Sequence, residues 1–509
     1  MTEKEFLSRL GFSENPFQFT NADEEDLLQS YFVPPPYFSS VWGNPLVPQS
    51  HVVFAPRGGG KSAQRRMIEF RAEAENVFAI TYDRFENLAE SKLETLSEDY
   101  HLKNIIRLAL LGFLLEFRDR GIQAAAFSRL ERHQVEQLCH QYLGGLTTLD
   151  AQKAANSLRT LSSKAKEFIR NWSGPLNALV SAALASHGLG HPQAHLQTGE
   201  LRKEEGIGAS LKTHLEVVRD LVLSTGFRSV YVLVDKVDES PETGNDAEAS
   251  FRLIKPLLRD LELLQMRSVG FKFFLWDKLE QHYQQYARPD RLQQFTLAWT
   301  RDEINTMLSL RLEVFSNGKV KDLGELTDAD LANPLQTTIV LFSAGSPRDM
   351  VRLCQEILSE QLQVDPASSK LGIRALVAGV AKFCTLRAKE LLPHEILADL
   401  VKIHCVDFTT SYVANEVFKI GLNSARNKIR QWTSTGVVEK VGELSSGGRP
   451  IYHYALNDVR VAKAMLPNLN LLEFLQNKIQ SCRKCSRILI RDWDLQPRHS
   501  CPCGEEVSS

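Results

Sequence analysis

The sequence predicts an α/β fold built on a mainly parallel sheet, and three observations carry that expectation. Short apolar runs at residues 51–54, 77–82, 230–234, 271–275 and 294–299 alternate with helical patterns, as strands joined by crossover helices do. A glycine cluster follows the first run, and a helical pattern over residues 62–72 follows the cluster. From Asp302 to about residue 420 the pattern is helical, so a helical region succeeds the sheet.

Composition bounds the rest. The chain has 509 residues, 43% hydrophobic and 24% charged. That is globular composition, and at roughly 100–200 residues per domain it leaves room for about three domains. Lys plus Arg number 60 and Asp plus Glu 62, for a net charge of −2, so any site for a polyanion must be local. Residues 1–10 are charged and lack the apolar core of a secretory signal. The longest apolar run, residues 108–115, is too short to span a bilayer. Cys139, Cys354, Cys384 and Cys405 are scattered singly, which fits a reducing compartment and a cytoplasmic location.

In chain order, residues 1–50 read as an irregular arm rich in aromatics and prolines. The run Pro34-Pro35-Pro36 cannot be helix interior or central strand. Residues 51–300 read as the α/β core, with a mostly helical insertion at about 90–215 in which no chemistry is visible. Residues 301–390 read as helices, 391–465 as a mixed module and 478–509 as a small cysteine-rich end.

The chemistry begins at Ala55-Pro56-Arg57-Gly58-Gly59-Gly60-Lys61-Ser62. This matches the phosphate-loop pattern except that Ala replaces Gly at the first position, where a small residue suffices. The glycines let the backbone curl so that N–H groups face phosphate oxygens. Arg57, Gly58, Gly59, Gly60, Lys61, Ser62 and Ala63 are expected to hold the nucleotide, with Lys61 on the β- and γ-phosphates and Ser62 on Mg²⁺. A phosphate loop needs an acidic strand end, and residues 230–234 deliver Asp235, then Asp238 and Glu239. Asp235 is expected to hold Mg²⁺ through water. Either Glu239 or Asp238 would deprotonate the attacking water. Asp277, after the strand at 271–275, is placed to sense the γ-phosphate. Arg288 and Arg291 are candidates for a finger reaching a neighbouring subunit's nucleotide. Arg348, at a helix start after Gly345-Ser346-Pro347, is a candidate for the γ-phosphate in cis.

In that order these motifs resemble an AAA+ ATPase, closest in layout to the initiator or origin-recognition type, over about residues 30–460. The resemblance implies a P-loop NTPase core, a helical lid over the nucleotide, and oligomerisation that completes the site. It implies that Arg348 is the lid arginine and that Val33, Pro34 and Phe38 neighbour the adenine. Initiator-type members usually place Glu directly after the first Asp, whereas this chain has Lys236 there. The spacing of Asp235, Asp238 and Glu239 is more similar to the NACHT group of STAND signalling ATPases.

Residues 395–460 are similar to a winged helix-turn-helix. Val413, Val417, Ile420 and Leu422 suggest one helix, and a second starts near Ser424 with Ala425, Ile429 and Trp432 on one face. Arg426, Lys428 and Arg430 lie on the other side. Together with Arg449 and Lys440 on the wing they are candidates for DNA contact. Finally, Cys482-x-x-Cys485 and Cys501-x-Cys503 have the spacing of a zinc ribbon, with Cys482, Cys485, Cys501 and Cys503 closing a structural Zn²⁺ site.

The expected architecture is therefore α/β: a P-loop NTPase core with parallel sheet and helical insertion, a helical lid, a winged-helix domain and a small zinc ribbon. The expected function is an ATP-hydrolysing, oligomeric switch that uses ATP, Mg²⁺ and Zn²⁺ and binds DNA. It would serve mobile-element, replication or phage-defence systems beside an effector protein, with no membrane. The alternative is a STAND-type signalling ATPase that senses a ligand or protein partner without DNA.

Overall fold

The computed structural model describes residues 2–85, 88, 90–119, 127–143, 210–446, 449–485, 487–493 and 498–508. Of the helical insertion expected at about 90–215, residues 120–126 and 144–209 lie outside the described residues. The chain divides into two compact units, Pro34–Ala298 and Met1–Val33 with Trp299–Ser509.

The first unit is a P-loop α/β core. Its strands are β1 (His51–Ala55), β2 (Phe78–Tyr82), β3 (Val230–Val234), β4 (Val269–Trp276) and β5 (Gln293–Thr296). They form one sheet in the order β2-β3-β4-β1-β5 with every pairing parallel. The four strands β1–β4 are buried along their whole length. This is why their sequences read as continuous apolar runs rather than alternating ones. β5 is a half-exposed edge, shorter than the run that predicted it.

The topology sets the site. Because all strands run the same way, their C-terminal ends share one edge of the sheet. The phosphate loop leaves β1, Asp235 leaves β3, and β4 lies between them with Ala55 beside Trp276. The helix α1 (Lys61–Glu75) follows the loop directly. The helices α2 (Glu98–Asp119), α3 (Leu211–Ser224) and α4 (Ala247–Arg259) place Leu102, Ile105, Val218, Leu221, Ile254 and Leu257 in one core with the strands. The apolar stretch at 108–115 is thus a core helix. No helix among the described residues is long and apolar enough to cross a membrane.

One strand residue departs from the apolar pattern. Lys272 on β4 is fully buried, and its ammonium donates to the Gln49 carbonyl at 2.7 Å and lies 3.0 Å from His51 Nδ1. With no carboxylate among these partners, burial pushes the amine down to about 7.

The second unit begins with the chain's first residues. The expected irregular arm is instead partly helical (Glu3–Arg9, Leu28–Tyr31), and Phe6, Leu10, Phe12 and Phe17 are buried. They share a core with Ile304, Leu308 and Leu312 of α5 (Arg301–Phe315). The buried Arg311 holds this segment, donating to Glu25 at 2.8 Å and lying 4.8 Å over the Tyr31 ring. The helices α6 (Ala329–Ser343), α7 (Pro347–Val364) and α8 (Ile373–Leu391) continue the core.

Next come strands β6 (Asp407–Thr409), β7 (Val438–Ser446) and β8 (Arg449–Leu456), an antiparallel sheet in the order β6-β8-β7. Before β7 runs α9 (Leu422–Ser434), which buries Ala425, Ile429 and Trp432 as its spacing predicts. The turn before α9 has Lys419 in the left-handed region at φ 54°, and Gly421 is the helix N-cap. α10 (Val459–Met465) follows the sheet. The chain ends in two hairpins, β9 (Ile479–Ser481) with β10 (Ile488–Ile490) and β11 (Arg498–Ser500) with β12 (Glu506–Ser508).

Candidate nucleotide site, winged helix and metal centre

The phosphate loop needs its glycines. Gly58 and Gly60 stand at φ 77° and 97°, which side chains with a Cβ rarely adopt. A Cβ on Gly59 would fall 2.9 Å from the Pro56 carbonyl oxygen. The turn is closed by Gly59 N–H donating to that carbonyl at 3.0 Å. Gly60 then caps α1, so the helix N-terminus opens onto the loop.

Lys61 is buried, and its ammonium donates to the Ala55 carbonyl at 3.2 Å and the Pro56 carbonyl at 3.4 Å. Burial lowers its basicity, and the fields of Asp238, Asp235, Asp277 and Glu239 oppose this. The acids that the sequence nominated thus converge on the predicted lysine from β3 and β4, residues far apart in the chain.

Asp235 is fully buried and stays ionised. Its desolvation is outweighed by Arg65, which donates from Nε at 2.9 Å, with the Ser62 hydroxyl and the Lys61 charge adding to the effect. Lys236, at φ 57°, folds its own N–H back onto Asp235 Oδ1 at 2.9 Å. The two side chains named for Mg²⁺, Ser62 and Asp235, are therefore already in contact. An oxygen pair of this kind suits a hard cation bound partly through water.

The two candidate bases differ in surroundings. Asp238 is buried and held by Arg57, whose Nε donates to its carboxylate at 2.8 Å and whose Nη2 donates to its backbone carbonyl at 3.1 Å. The Arg57 guanidinium also lies 4.1 Å over the Trp276 ring. Glu239 is exposed, and Asp277 is half-buried beyond β4. Ala63 is half-buried in the first turn of α1.

Three residues carry site structure that the sequence reading did not single out. Arg65 and Trp276 are two of them. The third is Tyr37, which stacks on Phe295 at 4.9 Å and whose phenol accepts from Gln64 on α1 at 3.3 Å. The helical spacing from Lys61 to Arg65 was the one available signal for Arg65. Of the expected adenine neighbours, Phe38 is buried and Pro34 exposed in this unit, while Val33 belongs to the other.

Arg288 grips Asp290 through two 2.9 Å bonds, and Arg291 lies 3.3 Å from the same carboxylate; both are substantially exposed. Arg348 belongs to the second unit, in the first turn of α7 behind the Ser346 cap. Its neighbour Asp349 is buried, accepting from Arg387 Nε on α8 at 3.0 Å and from Arg460 on α10.

On α9, Arg426 and Arg430 are exposed. Lys428 is turned onto its own fold, 2.6 Å from Asp399 and 5.0 Å over the Phe418 ring. Lys440 on β7 lies 3.8 Å over the Tyr452 ring. The Arg449 side chain lies outside the described residues.

At the C-terminus the sulfurs of Cys482, Cys485, Cys501 and Cys503 all lie within 4.8 Å of one another. The pairs Cys482–Cys503 and Cys485–Cys501 are 3.5 Å apart, far beyond a bonded S–S distance of about 2.05 Å. A tetrahedral zinc with Zn–S arms of about 2.3 Å wants sulfurs about 3.8 Å apart. Backbone N–H groups of Cys485 and Lys484 aimed at Cys482 hold its thiol down at about 7, while burial and the neighbouring thiols push Cys501 up to about 12. Gly504, at φ 86°, closes the tighter second turn. The donor set fits structural zinc and leaves no open position.

The ribbon is fastened to the winged-helix sheet. Arg487 pairs with Glu439 of β7 at 2.6 Å. Asp492, bound to Lys478 at 2.5 Å, accepts from Val406 N–H and donates its own N–H to Asp407, each at 3.3 Å.

The core is a P-loop fold. No protein-family model matches the chain, and no curated protein matches it. Among solved structures it is similar to the Aeropyrum pernix ORC1 protein in complex with DNA, at 12% identity and a TM-score of 0.37, over 89% of this chain and 97% of that one. It is also similar to the Aeropyrum pernix ORC2 protein, at 11% and 0.39, over 87% and 97%. A third is Cdc6p from Pyrobaculum aerophilum, at 9% and 0.32, over 91% and 99%. At these values the functional reading rests on the residues of this chain.

Proposed function

We propose that this protein is a Mg²⁺-dependent ATPase that works as an oligomeric, nucleotide-driven switch and binds DNA through its winged helix. The observation that carries the reading is the buried Lys61 in a glycine-shaped loop, within the fields of Asp235, Asp238, Asp277 and Glu239. A loop of N–H groups, a buried ammonium and a convergent acid set suit the binding and transfer of a phosphoryl group.

In this reading the loop N–H groups and Lys61 hold the β- and γ-phosphates, and Ser62 with Asp235 holds the metal. Bound Mg²⁺ supplies neutralisation of phosphate charge. Glu239 is the general base, because Asp238 is occupied by Arg57. Arg57 and Asp277 face the γ-phosphate side. Arg288 or Arg291 reaches a neighbouring subunit's nucleotide, and Arg348 acts from the lid. Arg426, Arg430 and Arg449 contact DNA phosphates or bases, while Lys428 serves the fold. Zinc at the four cysteines holds the ribbon closed.

A second reading is favoured by one observation. Arg460, just beyond the winged sheet, is bound to Asp349 in the first turn of α7. A winged helix so anchored suits a packing module of a STAND-type signalling ATPase with a protein partner. The deciding experiment is ATP turnover with and without double-stranded DNA, beside Lys61→Ala. DNA stimulation that vanishes in the variant supports the first reading. Turnover indifferent to DNA supports the second, and turnover unchanged by Lys61→Ala sinks both.

A further inference from the structure

The acid that follows β3 is not a free carboxylate at a strand end. Asp235 is 1% exposed, and the arginine bonded to it, Arg65, is fully buried. Arg65 lies on α1 three residues beyond Ser62, and its guanidinium spans two acids. Nε donates to Asp235 Oδ2 at 2.9 Å, and Nη1 donates to Glu69 Oε1.

Glu69 is itself fixed on both oxygens, by the Thr81 hydroxyl of β2 at 2.5 Å and by Arg66 at 2.8 Å. The chain of contacts thus ties α1, β3 and β2 together behind the phosphate loop. On its other oxygen Asp235 accepts the Lys236 N–H at 2.9 Å. Its carboxylate plane is therefore pinned from both sides, with the Ser62 hydroxyl bound to it.

We infer that Arg65 is a positioning residue for the metal: by holding Asp235 against Ser62, it sets how tightly the phosphate loop takes up Mg²⁺ with its nucleotide. The inference rests on the ATPase reading above. Arg65 touches neither phosphate nor metal in this arrangement and acts only through Asp235. One feature singles it out from a general structural ion pair: it spans Asp235 and Glu69 with different nitrogens of one planar group, which a lysine cannot reproduce.

The test uses the full-length protein and a fluorescent ADP analogue, with wild type, Arg65→Met, Arg65→Lys and Glu69→Gln. Affinity is read with and without Mg²⁺, beside the half-saturating Mg²⁺ for ATP turnover and a thermal melt for folding. Metal-free ADP affinity is expected to stay within about threefold of wild type. In both Arg65 variants the Mg²⁺-dependent gain in affinity falls, and the half-saturating Mg²⁺ rises, by about tenfold or more, the usual scale for a lost outer-shell partner. Glu69→Gln keeps the bond to Asp235 and gives a smaller shift of the same sign.

Wild-type Mg²⁺ dependence in a folded Arg65→Lys or Arg65→Met overturns the inference. So does non-folding of both together with wild-type Mg²⁺ dependence in Glu69→Gln, which leaves Arg65 a structural role alone. A wild-type protein that binds no nucleotide overturns the ATPase reading instead, so the two failures are distinguishable.

Discussion

Arg57, inside the phosphate loop, is bonded to both the side chain and the backbone of Asp238, at 2.8 and 3.1 Å. The loop and the acidic turn after β3 are therefore one hydrogen-bonded unit. The contact also separates two acids that sequence spacing left equivalent. Asp238 is buried and occupied, whereas Glu239 is exposed.

Glu239→Gln is expected to lower ATP turnover by ~10²–10⁴ while bound ATP persists, the scale for loss of a general base. Asp238→Asn is expected to cost less in turnover. Single-turnover assays decide. Normal hydrolysis in Glu239→Gln would transfer the role to Asp238.

Lys61→Ala is expected to abolish nucleotide binding or turnover without unfolding the core. Removal of the ammonium relieves a buried charge, so stability holds while phosphate affinity goes. Titration with a fluorescent nucleotide beside a turnover assay checks this, and retained affinity together with unchanged turnover would remove the phosphate-loop assignment.

Arg426→Ala with Arg430→Ala is expected to weaken binding to duplex DNA and to reduce the slope of log K against log salt by about 1.8, two phosphate contacts at about 0.9 each. Lys428→Ala should instead lower the melting temperature, because Lys428 is bonded to Asp399. Equal DNA affinity in the double variant would retire α9 as a DNA-reading helix.

Metal analysis is expected to find one zinc per chain, and none in Cys482→Ser. Trp493 packs in the small ribbon core with Cys482, Leu489, Cys501 and Val507. Chelation should therefore red-shift its fluorescence. Wild-type protein free of zinc would leave the cysteine cluster without a function.

The ribbon junction should respond to pH. Burial and the neighbouring Asp492 charge raise Asp407 to about 7 from the ordinary 3.8. Lys478, Arg491 and His453 also face this group; burial lowers His453 and Arg491. Cys405 and Tyr412 lie on the same side. The folded state holds the Asp407 proton that the unfolded chain releases near pH 4. The stabilisation is complete below the unfolded value and is lost as pH rises through about 7. Melting temperature is expected to fall between about pH 4 and about pH 7, and less so in Asp407→Asn. An identical pH profile in that variant would refute the assignment.

Local signals were legible wherever one stretch of chain does one job. Gly58 and Gly60 announce left-handed turns, the buried strands read as apolar runs because both sheet faces are covered, and Ala425, Ile429 and Trp432 fix the face of α9. The arm misled because proline and aromatic content describes backbone irregularity. It does not reveal that Phe6, Leu10 and Phe17 find a core around Ile304 and Leu308, nearly three hundred residues away by sequence number. Arg65 escaped notice because a charged residue on a helix reads as solvated until its acid is known to lie behind it.

The sequence by itself determined the phosphate loop, the acidic strand end and the cysteine spacing, since each depends on neighbours within a few residues. Only the tertiary structure decided which acid is occupied, which arginine holds Asp235, and that Lys428 pairs with Asp399. Those outcomes depend on pairs such as Arg57 and Asp238, separated by 181 positions. Buried charges must find partners when water is excluded, and sheet order determines which partners are within reach.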